Sequence, residues 1–168
     1  MALSMYQACV PVITQMLNGL GGVLDKAAAH CTEKKYEESA FLQARLFPDM
    51  FTMARQVKQA TDFGRNAPGR LAGVTLPTFP DADSSFAALQ DRVAKSLAFV
   101  KEFTPAQLDG TEDKEIAWTA GTRQMSFKGQ DYLLHFCLPH FFFHCTTAYA
   151  LLRHNGVEVG KRDYMGSR

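Results

Sequence analysis

The segment from Gly129 to His154 sets the tightest limit on how this chain can fold. Its spacing is helical, yet it is apolar on nearly every side, and a helix of that kind has to be surrounded by other elements. A bilayer cannot provide the surroundings. The richest window, Tyr132 to Leu152, is interrupted by His135, His140, His144, Thr146 and Thr147, and no stretch reaches the roughly 18 unbroken apolar residues a spanning helix needs. The partners must therefore come from the rest of the chain. Pro139 is predicted to kink this last helix just before His140, and Asn155 and Gly156 suit a left-handed cap at its end.

Three other segments have the periodicity to pack around it. Behind Ser4 and Gln7, which have capping-box spacing, Cys9, Val12, Ile13, Met16, Leu17, Leu20, Val23, Leu24 and Ala27 recur at steps of three and four, predicting a helix over about 5–30. Pro11 removes one bond from its second turn, and Gly19, Gly21 and Gly22 weaken its middle, so tertiary packing must hold it straight. A charged connection, Glu33 to Glu38, leads into a short helix that cannot run smoothly past Pro48. A second long helix is expected at about 48–65, with Pro48 in its first turn, Asp49 at the positive end of its dipole, and a stripe of Met53, Ala54, Val57, Ala60 and Thr61. Asp83 or Ser84 caps a third, in which Phe86, Leu89, Val93, Ala94, Leu97 and Val100 repeat as far as about Phe103.

Between these helices the period breaks. Gly64 to Asp83 contains Pro68, Pro77, Pro80, Gly69 and Gly73, which is punctuation without periodicity. Thr104, Pro105 and Gln107 start a single turn. Ile116 and Trp118, then Met125 and Phe127, alternate in twos across Thr119-Ala120-Gly121-Thr122, which reads as a β-hairpin lidding one end of the bundle. From Val157 to Arg168 no regular pattern is visible. The expected fold is all-α, a four-helix bundle with a small hairpin between its third and fourth helices.

At 168 residues, the chain is sized for one domain, 1–168, that buries roughly two-thirds of its unfolded surface. Lysine and arginine total 18 against 17 acidic residues, a formal charge of +1, so no long-range field is available to hold a nucleic acid. The N-terminal stretch lacks a basic region, and Gln7, Thr14, Gln15 and Asn18 interrupt its apolar residues, unlike an export signal. Cys9, Cys31, Cys137 and Cys145 form no CxxC pair and read as buried thiols in a reducing compartment. The expected location is the cytoplasm.

His140 and His144 carry the strongest chemical signal. Four residues apart, they differ by only about 40° around a helix and can converge on one ion. Imidazole suits zinc or nickel, and bundle cores build such sites from facing helices. The competing reading packs both rings among Phe141, Phe142 and Phe143 with their nitrogens bonded to a neighbouring helix. Asp49 and Gln56, seven residues apart on the expected second helix, are the candidates to complete the shell, Asp49 otherwise serving the helix dipole and Gln56 bonding to backbone. His135 points elsewhere and is given a structural role; His154 and His30 are read as helix-end residues. Cys145 and His144 diverge by about 100°, too far for an ion pair. Neither GxSxG, GxGxxG nor GxxxxGK(S/T) occurs.

The segments Gly129-Gln-Asp-Tyr-Leu-Leu-His135, Pro139-His-Phe-Phe-Phe-His144 and Ala148-Tyr-Ala-Leu-Leu-Arg-His-Asn-Gly156, with Ser4-Met-Tyr-Gln-Ala8, Ala44-Arg-Leu-Phe-Pro-Asp-Met-Phe51 and Gly160-Lys-Arg-Asp-Tyr164, resemble a bacterial family of unknown function among the DinB/YfiT-like metalloenzymes. The resemblance implies a four-helix bundle, often a homodimer, with a divalent ion held by one histidine on the second helix and a pair on the last. His140 and His144 match the pair. Gln56 stands where the second-helix histidine is expected, so the implied site is degenerate. The resemblance also makes a metal-dependent thiol transferase or isomerase conceivable, with a non-catalytic small-molecule binder or oligomeric interaction module as the alternative; for the latter, Phe141 to Phe143 and Met53 are expected to line an apolar cavity.

Overall fold

A computed structural model of the protein describes residues 3–80 and 84–166. The chain is mostly helical, with one two-stranded antiparallel hairpin late in the described residues. Helix α1 spans Met5–Lys34, and the expected capping box is formed: the Ser4 hydroxyl accepts the Gln7 N–H at 3.3 Å while the Gln7 side-chain oxygen Oε1 accepts the Ser4 N–H at 3.2 Å. The helix continues through Pro11 and ends with Lys35 in the left-handed region at φ 56°. Short α2 (Glu38–Leu42) follows.

Helix α3 runs Met53–Ala72, not 48–65. Its start is set by Thr52, whose hydroxyl accepts the Arg55 N–H at 3.3 Å. Ahead of it the chain is tied back on itself, Met53 N–H to the Ala44 carbonyl at 2.9 Å and the Arg45 guanidinium to the Met50 carbonyl. Pro48 and Asp49 therefore lie in a turn before the helix, with Asp49 exposed. Its end is later than the glycines and prolines suggested. Ala67, Pro68, Gly69 and Leu71 are all buried within it, so packing outweighs the weak helical preference of Pro68 and Gly69, and the stop comes at Gly73, in the left-handed region at φ 76°. Gly64 lets α3 approach closely: a Cβ there would stand 3.2 Å from the Phe141 ring and 3.3 Å from Ile13.

Helix α4 (Phe86–Lys101) is capped by Ser85, whose hydroxyl accepts the Ala88 N–H at 3.1 Å. Ser84 sits in the preceding turn, and Asp83, the other expected cap, lies outside the described residues. The single turn α5 (Pro105–Leu108) is followed by β1 (Glu115–Ala120) and β2 (Arg123–Lys128), paired Ile116 with Phe127 and Trp118 with Met125 across a two-residue Gly121-Thr122 loop.

The last long helical stretch begins as α6 (Gly129–Asp131), widens into a π-helical turn over Tyr132–Cys137, and continues as α7 (Leu138–His154). The expected disturbance at Pro139 is thus placed on its N-terminal side, where the Leu138 N–H reaches back five residues to the Leu133 carbonyl. The tail is more ordered than its composition suggested. Val157 and Val159 are buried, and α8 (Lys161–Met165) packs on α1. Helices α1, α3, α4 and α7 share the core: α3 packs most extensively on α7 and α1 on α4, with α3 also against α4.

Candidate functional site

The site lies where α3 meets α7. Gln56 and Phe63, two turns apart on α3, share a face of that helix, and both meet the histidines of α7. Gln56 is only 2% exposed and His144 only 7%. The Gln56 side-chain oxygen stands 2.6 Å from His144 Nδ1, while the Gln56 amide nitrogen donates to the Phe51 carbonyl at 3.4 Å. The second bond fixes which end of the amide is which, so His144 carries its proton on Nδ1 and donates it.

His140 is held in the same manner by a different partner. Its Nδ1 lies 2.7 Å from the carbonyl oxygen of Phe136, and a carbonyl only accepts, so Nδ1 is protonated there too. Phe136 belongs to the π-helical turn. Such turns insert an extra residue into an α-helix and recur at functional sites; here the turn also presents Cys137, whose thiol donates to the Phe63 carbonyl at 3.1 Å. The Phe63 ring stacks on both imidazoles, at 4.7 Å and 22° from His140 and at 5.7 Å and 15° from His144. Phe51 lies nearly parallel to His144 at 6.3 Å.

Burial, followed by the neighbouring His140, lowers the pKa of His144 to about 4. Its ring is neutral at pH 7, with the lone pair on Nε2. Neither Nε2 has a hydrogen-bond partner among the described residues. A ring whose Nδ1–H is pinned to an oxygen and whose Nε2 is left over is oriented as metal-ligating histidines are.

The remaining candidates fall out differently. Asp49 is exposed in the turn before α3 and does not share a helical face with Gln56. Gln56 has its oxygen engaged by His144. Among the described residues no group of three or more histidine, cysteine, aspartate or glutamate side chains is placed to hold an ion. Two imidazoles alone do not make a closed site of three or four protein ligands. His135 is exposed beside Asp131 at 3.9 Å, His154 is exposed, and His30 packs edge-on against Phe41.

All four cysteines are buried and free. Burial pushes the Cys137 thiol up to about 12 and the thiols of Cys9 and Cys145 higher still, so none is a ready nucleophile at neutral pH. Phe141 is buried while Phe143 is 54% exposed, so these two rings lie on opposite sides of α7. What the sequence reading missed was Phe63, the residue that touches both imidazoles. Its spacing of seven from Gln56 was the available signal.

The arrangement of long helices is that of a DinB-like fold. The match to a solved structure agrees: the crystal structure of a DinB family member protein from Shewanella denitrificans aligns over 97% of this chain and 92% of its own, at 33% identity and a TM-score of 0.85. A domain of unknown function, DUF1993, matches residues 5–165, and the chain belongs to that family. No curated protein matches it.

Proposed function

We propose that this DinB-like protein is a four-helix bundle that takes up a divalent transition metal, zinc or nickel, between α3 and α7 through Nε2 of His140 and His144. The observation that carries the reading is the 2.6 Å bond from His144 Nδ1 to Gln56. It holds a neutral, buried imidazole in the one tautomer that leaves Nε2 available. Gln56 is thus assigned to orienting a ligand, and Asp49 to none.

An ion held by two imidazoles keeps open positions and would act as a Lewis acid toward a thiol or a water, the chemistry of a metal-dependent thiol transferase or isomerase. The protein's own part is positional. Gln56 and the Phe136 carbonyl fix the two rings, and Phe63 and Phe51 shield their faces. No cysteine of the chain is assigned a chemical role.

The test is calorimetric titration of chelator-treated protein with zinc and with nickel. One equivalent should bind to the wild type and none to His144→Ala or His140→Ala, with the His140→Ala variant still folded because His140 is exposed. A wild type that takes up neither metal would overturn the reading. In that case the second reading stands, a non-catalytic ligand-binding or oligomeric module, which is favoured by Gln56 standing where the superfamily carries a histidine. A homodimer is part of either reading, with exposed Phe47 and Phe143 as its apolar contacts and sedimentation as its test.

A further inference from the structure

A second feature lies beside the histidines and is used by neither reading. A cleft of about 240 Å³ opens between α3, β1 and the π-helical turn, lined by Phe63, Asn66, Arg70, Trp118 and Phe136 among others. We propose that it binds a small organic monocarboxylate with a flat apolar body, its carboxylate paired with Arg70.

The charge argument comes from Arg70. Its guanidinium lies 4.1 Å over the Trp118 ring and makes one long hydrogen bond, 3.4 Å, to the Tyr132 hydroxyl, which itself donates to the Asn66 main-chain carbonyl at 3.1 Å. Among the described residues no carboxylate pairs with it. Stacking on an aromatic face leaves the edge of the guanidinium free, and that edge carries the parallel donors that match a carboxylate. Asp62, the one acid lining the cleft, has its oxygen engaged by Arg65 at 2.9 Å and Arg92 at 2.5 Å. Its charge is already met from the other side.

The shape argument comes from the rings. Trp118 and Phe136 lie 5.4 Å apart, and with Phe63 they give the cleft aromatic walls. The side-chain oxygen of Asn66 is buried without a partner, but an amide oxygen only accepts, so it takes no part in holding a carboxylate and the charged end rests on Arg70. Drug-sized ligands fill pockets of about 300–1,000 Å³; this cleft takes something smaller. Phe63 and Phe136 also lie against the His140 ring, at 4.7 and 4.5 Å. An occupant would therefore share two walls with the histidine pair, although its binding does not depend on a metal being there.

Trp118 is the only tryptophan of the chain, so its indole N–H gives a single resonance that reports on the cleft. Metal-free wild-type protein titrated with benzoate at constant ionic strength should show a saturable shift of that resonance, with a dissociation constant on the order of 1 mM for so small a ligand. Benzamide, of the same shape without the charge, should bind at least about tenfold more weakly. Arg70→Gln should abolish the preference for benzoate and Arg70→Lys should keep part of it, each variant being checked by its melting curve. No saturable shift in the wild type, or equal affinity for benzoate and benzamide, would overturn the assignment without any variant having to fold.

Discussion

The side-chain oxygen of Gln56 on α3 lies 2.6 Å from Nδ1 of His144 on α7, and both residues are buried. This bond joins the two helices that pack most extensively on each other, so one contact serves both the fold and the site. Removing it leaves a buried N–H with no acceptor, a loss of about 1–3 kcal/mol. Gln56→Leu should therefore lower stability by that amount in chemical denaturation and release the His144 tautomer, read from its ring nitrogen shifts. Gln56→His should behave differently. It places a third imidazole opposite the pair and is expected to raise zinc affinity by about tenfold or more in calorimetry; an unchanged affinity would show that position 56 does not reach the proposed ion.

Much of this arrangement was legible in the chain. The capping box at Ser4 and Gln7, the alternation through Ile116, Trp118, Met125 and Phe127, and the four-residue spacing of the histidines are local patterns, and local patterns survive folding. What was not legible depended on partners far away in sequence. Pro68 and Gly69 read as breakers, yet they are buried inside α3 because the core gained by continuing outweighs their weak propensity. Pro48 and Asp49 read as a helix start, yet a backbone bond from Met53 to Ala44 and the hydroxyl of Thr52 set it later. The π-helical turn left no trace in the periodicity. Phe63 was marked only by its spacing of seven from Gln56, and that spacing does not say what the ring touches, because the opposing helix decides it.

The buried thiols predict how stability depends on alkaline pH. Burial raises Cys9, Cys137 and Cys145 above an unfolded value of about 8.5. The unfolded chain releases these protons first as pH rises, so the stability they contribute is fully present below about pH 8.5 and is lost above it, by at most about 1.4 kcal/mol per pH unit for each thiol. Urea midpoints compared at pH 7 and pH 9.5 should fall. Cys145→Ala should show a shallower fall than the wild type, and an identical pH dependence would mean that Cys145 ionises normally.

Arg92, 3% exposed, spends its guanidinium on three partners, Thr61 at 2.9 Å, the Pro80 carbonyl at 2.9 Å and Asp62 at 2.5 Å. Breaking a buried pair from one side costs about 3–5 kcal/mol because the other charge is stranded, whereas an apolar replacement of both is often near neutral. Asp62→Ala should lose close to that range, somewhat less because the Asp62 side chain is 24% exposed. Arg92→Met with Asp62→Ala should lose less than the sum of the two single changes, measured as a double-mutant cycle in urea. Strict additivity would show that the two side chains are not coupled.

Two glycines of α1, three residues apart, should respond to alanine in opposite directions. Alanine is better than glycine in a helix interior by about 1 kcal/mol, so Gly22→Ala, where a Cβ would meet nothing within 4 Å, should stabilise by up to that amount. At Gly19 the same Cβ would stand 2.2 Å from the Tyr164 carbonyl oxygen. That atom is main chain at the end of α8, a helix further tied to α1 by Lys26 to Asp163 at 2.7 Å and by Gln15 to the Met165 carbonyl at 2.9 Å. It cannot rotate away as a side chain would, so α8 must shift as a body, and overpacking of this kind costs about 1–3 kcal/mol. The clash exceeds the gain in helix propensity, and Gly19→Ala should destabilise. Melting curves of the two variants settle the sign. Should Gly19→Ala melt above the wild type, the seat of α8 on α1 contributes less than the backbone entropy of one residue, and the tail is an appendage instead of part of the core.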